Sequence, residues 1–110
     1  MADILKTNMT RNALSAVSFT AANPSSTVET GADDRMVLSV RNTQTEVKTL
    51  TIKAGNALQG VSDLVVSVPA STAGLIQVES GKYVQVLGAN TGRILVEAEA
   101  GIELACSVLP

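Results

Sequence analysis

The chain contains no histidine, and that absence limits what its other reactive side chains can do. Cys106 is the only cysteine. A nucleophilic thiol needs a histidine or another cation beside it to form the thiolate. Cys106 instead lies in the alternating run Ile102-Glu103-Leu104-Ala105-Cys106-Ser107-Val108, where a thiol acts as a small buried hydrophobe. Glu97, Glu99 and Glu103 surround the last turn of the chain. Glu97 and Glu99 alternate with apolar residues as a solvated strand face does, so acid–base work by paired carboxylates is not expected of them. Asp33-Asp34 lacks the regular oxygen spacing of a calcium loop and reads as a turn or strand-leading cap. The segment Gly55-Asn56-Ala57-Leu58-Gln59-Gly60 has two glycines but neither phosphate-binding arrangement, and no helix pattern follows it. No catalytic residue, metal ligand or cofactor is assigned.

Recognition chemistry is equally sparse. Formal net charge is −2, from 8 basic and 10 acidic side chains with no run of either sign, which argues against binding nucleic acid. One tyrosine (Tyr83), one phenylalanine (Phe19) and no tryptophan cannot build the aromatic platform on which sugars or single-stranded bases stack. A single cysteine cannot form an internal disulfide, in keeping with synthesis in a reducing cytoplasm. The first residues carry one lysine and no apolar stretch of signal-peptide length, and no run approaches a membrane span. A non-enzymatic, water-soluble domain is the expectation.

The elements behind these residues are strands. At 110 residues the chain is the size of one domain. Period-two alternation, the mark of a half-buried strand, runs through Met36–Arg41, Lys48–Lys53, Asp63–Val68, Leu75–Val78, Tyr83–Val86, Arg93–Ala98 and Ile102–Val108. Glycine, asparagine, serine and Pro69 separate these runs. About seven short strands with turn signals between them predict an all-β fold, an antiparallel sandwich or small barrel. Leu95, Val65, Val37 and Leu87 fall on the nominally outward faces, marking either an interaction surface or strands covered on both sides.

Residues 1–30 differ from the remainder. They are rich in Ser, Thr, Asn and Ala, and their apolar residues follow no strong period. The composition predicts an extended amino-terminal arm ahead of a sandwich at 31–110. Ordering about thirty residues costs on the order of 30–60 kcal/mol of backbone entropy. Apolar burial alone would have to cover about 1,200–2,400 Å² to offset that at roughly 25 cal/mol per Å². The arm is therefore expected to lie on a neighbouring molecule, with Ile4, Leu5, Met9, Leu14, Val17 and Phe19 as its contacts. On this reading the sandwich would stay folded without it.

From Met36 onward, the order MVLSVRN, KTLTIKAGN, DLVVSVPASTAGLIQVESGKYVQV and a last apolar strand ending in VLP resembles small β-sandwich virion proteins of tailed bacteriophages. The resemblance covers about two thirds of the chain. It implies a capsid decoration (cement) protein that binds the major capsid protein or another virion protein, stabilises the assembled head and forms a homo-oligomer, with a trimer favoured. Such a protein would be assembled in the host bacterial cytoplasm and reside in the virion. Other placements are a neck, tail or fibre-associated virion protein, or a glycan-binding sandwich. Tyr83 stands where phenylalanine is common in that group, and the strand at Ile76 lacks the Gly-Pro that often follows it there.

Overall fold

The computed structural model describes residues 2–31, 35–56, 61–86 and 88–110. Ten strands and one helical turn follow in order: β1 (Ala2–Ile4), β2 (Lys6–Asn8), β3 (Thr20–Ala21), β4 (Ser25–Glu29), β5 (Met36–Asn42), β6 (Lys48–Ile52), β7 (Leu64–Val68), β8 (Ala73–Gln77), α1 (Ser80–Tyr83), β9 (Arg93–Ala98) and β10 (Ile102–Val108). One sheet has the order β1-β4-β9-β6-β7. The other runs β2-β10-β5-β8, with β3 also paired to β10. The protein is an all-β sandwich of two mixed sheets and is not a closed barrel.

Alternation set the inward faces. Val28, Leu50, Ile52, Ile94 and Val96 from one sheet meet Met36, Leu38, Val40, Ile102, Leu104 and Cys106 from the other, all buried. These side chains are aliphatic or sulfur-containing. Two pleated faces of similar, medium-sized side chains can interdigitate and fill the space between sheets without aromatic rings. Tyr83 packs against this cluster from its margin.

The expected arm is not separate from the sandwich. Residues 2–8 and 20–29 form four strands that belong to both sheets, so the boundary placed at 30/31 divides a single unit. β4 lies between β1 and β9, and Val28 is fully buried in the core. β1 runs parallel to β4 with Ile4 opposite Val28. The chain then crosses at Leu5 to the other sheet, where β2 runs parallel to β10 and Lys6 lies opposite Cys106. β3 pairs antiparallel with the other half of the same β10 edge. Apolar side chains are only part of what holds these residues. Main-chain ladders supply much of the holding: β1, β2 and β3 each pair with one neighbour, and β4 is paired on both sides. The two parallel pairs also make the sheets mixed where wholly antiparallel ones were expected.

One predicted strand is also corrected. Ser80–Tyr83 makes a helical turn, and only Val84 of the segment Tyr83–Val86 forms a bridge, to Ile94. On that side of β9 the space from Val96 onward is taken by β6. Room remains only for the start of β9, where the Gln85 amide donates to the Arg93 carbonyl at 2.8 Å. Beneath this segment sits Gly55, whose amide donates to the Lys82 carbonyl at 2.9 Å. A Cβ at Gly55 would come within 2.5 Å of the Val84 carbonyl oxygen. Backbone cannot yield as a side-chain tip can, so only glycine fits.

Asn42 fastens the far end. It is buried at the end of β5, and its Nδ2 donates to the carbonyls of Glu46 (2.8 Å), Val68 (3.0 Å) and Pro69 (3.2 Å). Its Oδ1 accepts from the Gln44 amide at 2.9 Å. One side chain thereby joins the β5–β6 turn to the point where the chain leaves β7 for β8 in the opposite sheet.

Ile4 is 2% exposed and its neighbour Leu5 64%, which separates packing on this chain from packing on another. Ile4→Ala is expected to lower the unfolding free energy of the isolated protein by about 2–4 kcal/mol. Leu5→Ala should change it by less than about 0.5 kcal/mol. Denaturant titration of the two variants checks this, and equal, small effects would restore the free-arm picture.

Candidate functional site

The side chains that could have done chemistry are occupied elsewhere. Cys106 is buried, and its thiol lies 3.7 Å from the Glu29 carbonyl. Burial pushes that thiol up to about 11, and the Glu29 carboxylate adds to the rise. Glu97 is ion-paired with Lys53 at 3.3 Å, Glu99 accepts from the Thr49 amide at 2.7 Å, and Glu103 pairs with Arg41. The three carboxylates thus serve three different structural contacts. Asp33-Asp34 and residues 57–60 of the glycine loop lie outside the described residues. Among the described residues, no group of three or more Cys, Asp or Glu is placed to hold a metal ion.

An electrostatic cluster around Lys53 is exposed. Lys53 Nζ lies 2.8 Å from Asp63 Oδ2, and the Ala54 amide donates to Asp63 Oδ1 at 2.7 Å. The hydrogen bond to Asp63, helped by Glu97, raises the Lys53 amine above its ordinary value. Lys53 and the Ala54 amide in turn lower Asp63. Water reaches the whole cluster, so it fixes local geometry more than it stabilises the fold.

What the structure offers is surface, concentrated on the amino-terminal side. The loop 9–19 leaves β2 where the Met9 amide donates to the Val108 carbonyl at 2.8 Å. It folds back through a Thr10 amide bond to Ser15 Oγ (3.2 Å), with Asn12 at a φ of 58°. It ends where the Arg41 guanidinium lies 4.3 Å from the centre of the Phe19 ring. Between these anchors Leu14 is 96% exposed, and Met9, Val17, Leu5 and the nearby Leu109 are also exposed. A groove of about 340 Å³ runs between this loop and the strands, lined by Leu5, Lys6, Thr7, Ala16 and Ser18 among others.

The six residues expected to make contacts therefore divide. Leu5, Met9, Leu14 and Val17 face solvent; Ile4 is core, and Phe19 is half-buried under Arg41. Of the outward-facing aliphatics of the later strands, Val65 is 61% exposed, whereas Leu95 and Val37 are half-buried and Leu87 lies outside the described residues. Asn42 carries no sequence signal beyond ending an alternating run, so its fastening role was not foreseen. Compared with known proteins, the chain matches no family model, no curated protein and no solved structure.

The Cys106 environment gives two measurable consequences. At about pH 8 a thiol-reactive chromogenic disulfide should leave the native protein unmodified and titrate one thiol after denaturation, because only a thiolate reacts. The thiol has an ordinary value of 9.0 and a folded value of about 11. Stability from this group is thus fully present below pH 9 and falls as the pH rises toward 11, since the unfolded chain releases its proton first. The loss should be on the order of 2 kcal/mol and flatten in Cys106→Ala. Rapid native labelling, or an unchanged alkaline slope in the variant, would contradict the assignment.

Proposed function

We propose that the chain is a virion structural protein of the capsid-decoration type, working by adhesion and not by chemistry. The observation that carries the adhesive part is the loop 9–19, tied down at both ends and presenting Leu14 almost wholly to solvent. An ordered loop with exposed aliphatic side chains loses little freedom on docking, so more of the burial energy appears as affinity. Its natural counterpart is an apolar recess on the major capsid protein or another virion protein. The phage assignment itself rests on the sequence resemblance from Met36 to Pro110.

Repetition would supply the strength. A shell offers many equivalent sites, and a ligand that binds only the assembled state stabilises it by mass action. The glycan-binding reading has lost support, because Phe19 lies under Arg41 and Tyr83 packs on the core. Two separated, half-buried rings give that reading less support than the adhesive one.

Residues 2–30 cannot be deleted as a test, since that would remove four strands. The double variant Leu14→Asp/Val17→Asp alters exposed positions only. It should keep the wild-type melting temperature and lose at least about tenfold in affinity, a change of roughly 1.4 kcal/mol, for heads of the phage that encodes the chain. Co-sedimentation with purified heads reads this out. Full binding by the variant, or no binding by the wild type, would overturn the proposal.

A further inference from the structure

We propose that β8 is a self-association edge, pairing antiparallel with β8 of a second copy of this chain about a two-fold axis near Gly74. This goes beyond the docking loop and uses the opposite margin of the sandwich. β8 is the last strand of its sheet, and its outer side pairs with no strand among the described residues.

The phase of the ladder shows which backbone groups are offered. β8 pairs with β5 in the register Leu38↔Ile76, Ser39↔Leu75, Val40↔Gly74 and Arg41↔Ala73. Along the same register the Asn42 amide donates to the Thr72 carbonyl at 2.9 Å, and the Val78 amide donates to the Met36 carbonyl at 3.1 Å. Even-numbered residues therefore bond inward to β5. Because antiparallel ladders alternate, the N–H and C=O groups of Ala73 and Leu75 point away from the sheet.

Open edges are ordinarily guarded by charge, proline or a bulge. On the opposite margin, β1 carries Asp3 and β2 carries Lys6. Ala73-Gly74-Leu75-Ile76-Gln77 has no charge and no proline, and Leu75 is 75% exposed. Gly74 needs no positive φ, and a Cβ there would meet nothing within 4 Å. The monomer gives no reason for a glycine at this position. Glycine inside a strand often marks the close approach of another backbone.

The occupant follows from the symmetry of these features. With the axis near Gly74, Ala73 of each copy lies opposite Leu75 of the other, which gives four main-chain hydrogen bonds. The two glycines meet at the axis, where side chains are most crowded. No like charges face each other in that register. The strand is thus complementary to itself, and the two sheets containing β8 would become one continuous sheet.

Solution mass, measured across the micromolar range by sedimentation equilibrium, tests the proposal. The wild type should approach the mass of two chains. Leu75→Lys places a charge on each side of the axis and should return the protein to the 11.3 kDa of one chain, with the melting temperature that the wild type shows when diluted to monomer. Val65→Lys, on the edge strand of the other sheet, should remain dimeric. A monomeric wild type, a trimer, or a dimer that survives Leu75→Lys would each overturn the β8 contact, and none of these results bears on head binding by Leu14 and Val17.

Discussion

Residues 2–8 cross between the sheets at Leu5, and the rest of the architecture depends on that crossing. Ala2–Ile4 closes one margin beside β4, and Lys6–Asn8 closes the other sheet on the same side beside β10. Side-chain contacts secure both halves. Thr27 Oγ1 donates to Asp3 Oδ1 at 3.0 Å, the Lys6 amide donates to Glu29 Oε1 at 2.8 Å, and Arg93 lies 3.4 Å from both Asp3 and Glu29. Each exposed ion pair contributes little by itself. Their effect is to hold a short segment in register while Ile4 enters the core, where burial provides the larger stabilisation.

One margin is joined by the crossing chain and carries charges on its edge strands; the other has no such crossing among the described residues. At the other margin Asn42 joins the β5–β6 turn to the β7–β8 passage, which holds β8 in place while no strand among the described residues pairs with its outer side. The loop 9–19 shows the same design, fixed through Met9 and Phe19 and displaying Leu14 between them. Rigid mounting of uncovered apolar groups is what the proposed adhesive role requires. Buried Cys106 and the separately engaged glutamates belong to structure.

Much of the fold was legible in the sequence. The six strands β5 to β10 followed from period two because each has one face on a shared core, and Leu38, Leu50 and Ile52 are inward as the alternation requires, whereas Tyr83–Val86 alternates without forming a strand. β1 to β4 were missed for a physical reason: Ala2–Ile4 and Lys6–Asn8 are three residues each, too short for a period to register. In β4, Ser26 and Thr27 occupy buried positions where aliphatic residues would have signalled a strand. Parallel pairing of distant segments also leaves no local turn signature. Of the candidate surface, the apolar residue types were readable, but which of them face solvent was not. Ile4 and Leu5 are adjacent and chemically alike, and only the crossing between sheets sends one inward and the other out.

One cooperative sandwich requires that the first thirty residues be held by their own chain. Amide hydrogen exchange of the dilute monomeric Leu75→Lys protein, resolved by residue, measures that directly. The expected result is that Ile4, Val28 and Ile94 exchange at the same slow rate, set by global unfolding. Exchange of Ile4 and Val28 many-fold faster than Ile94 would mean that these strands are not part of the cooperative fold.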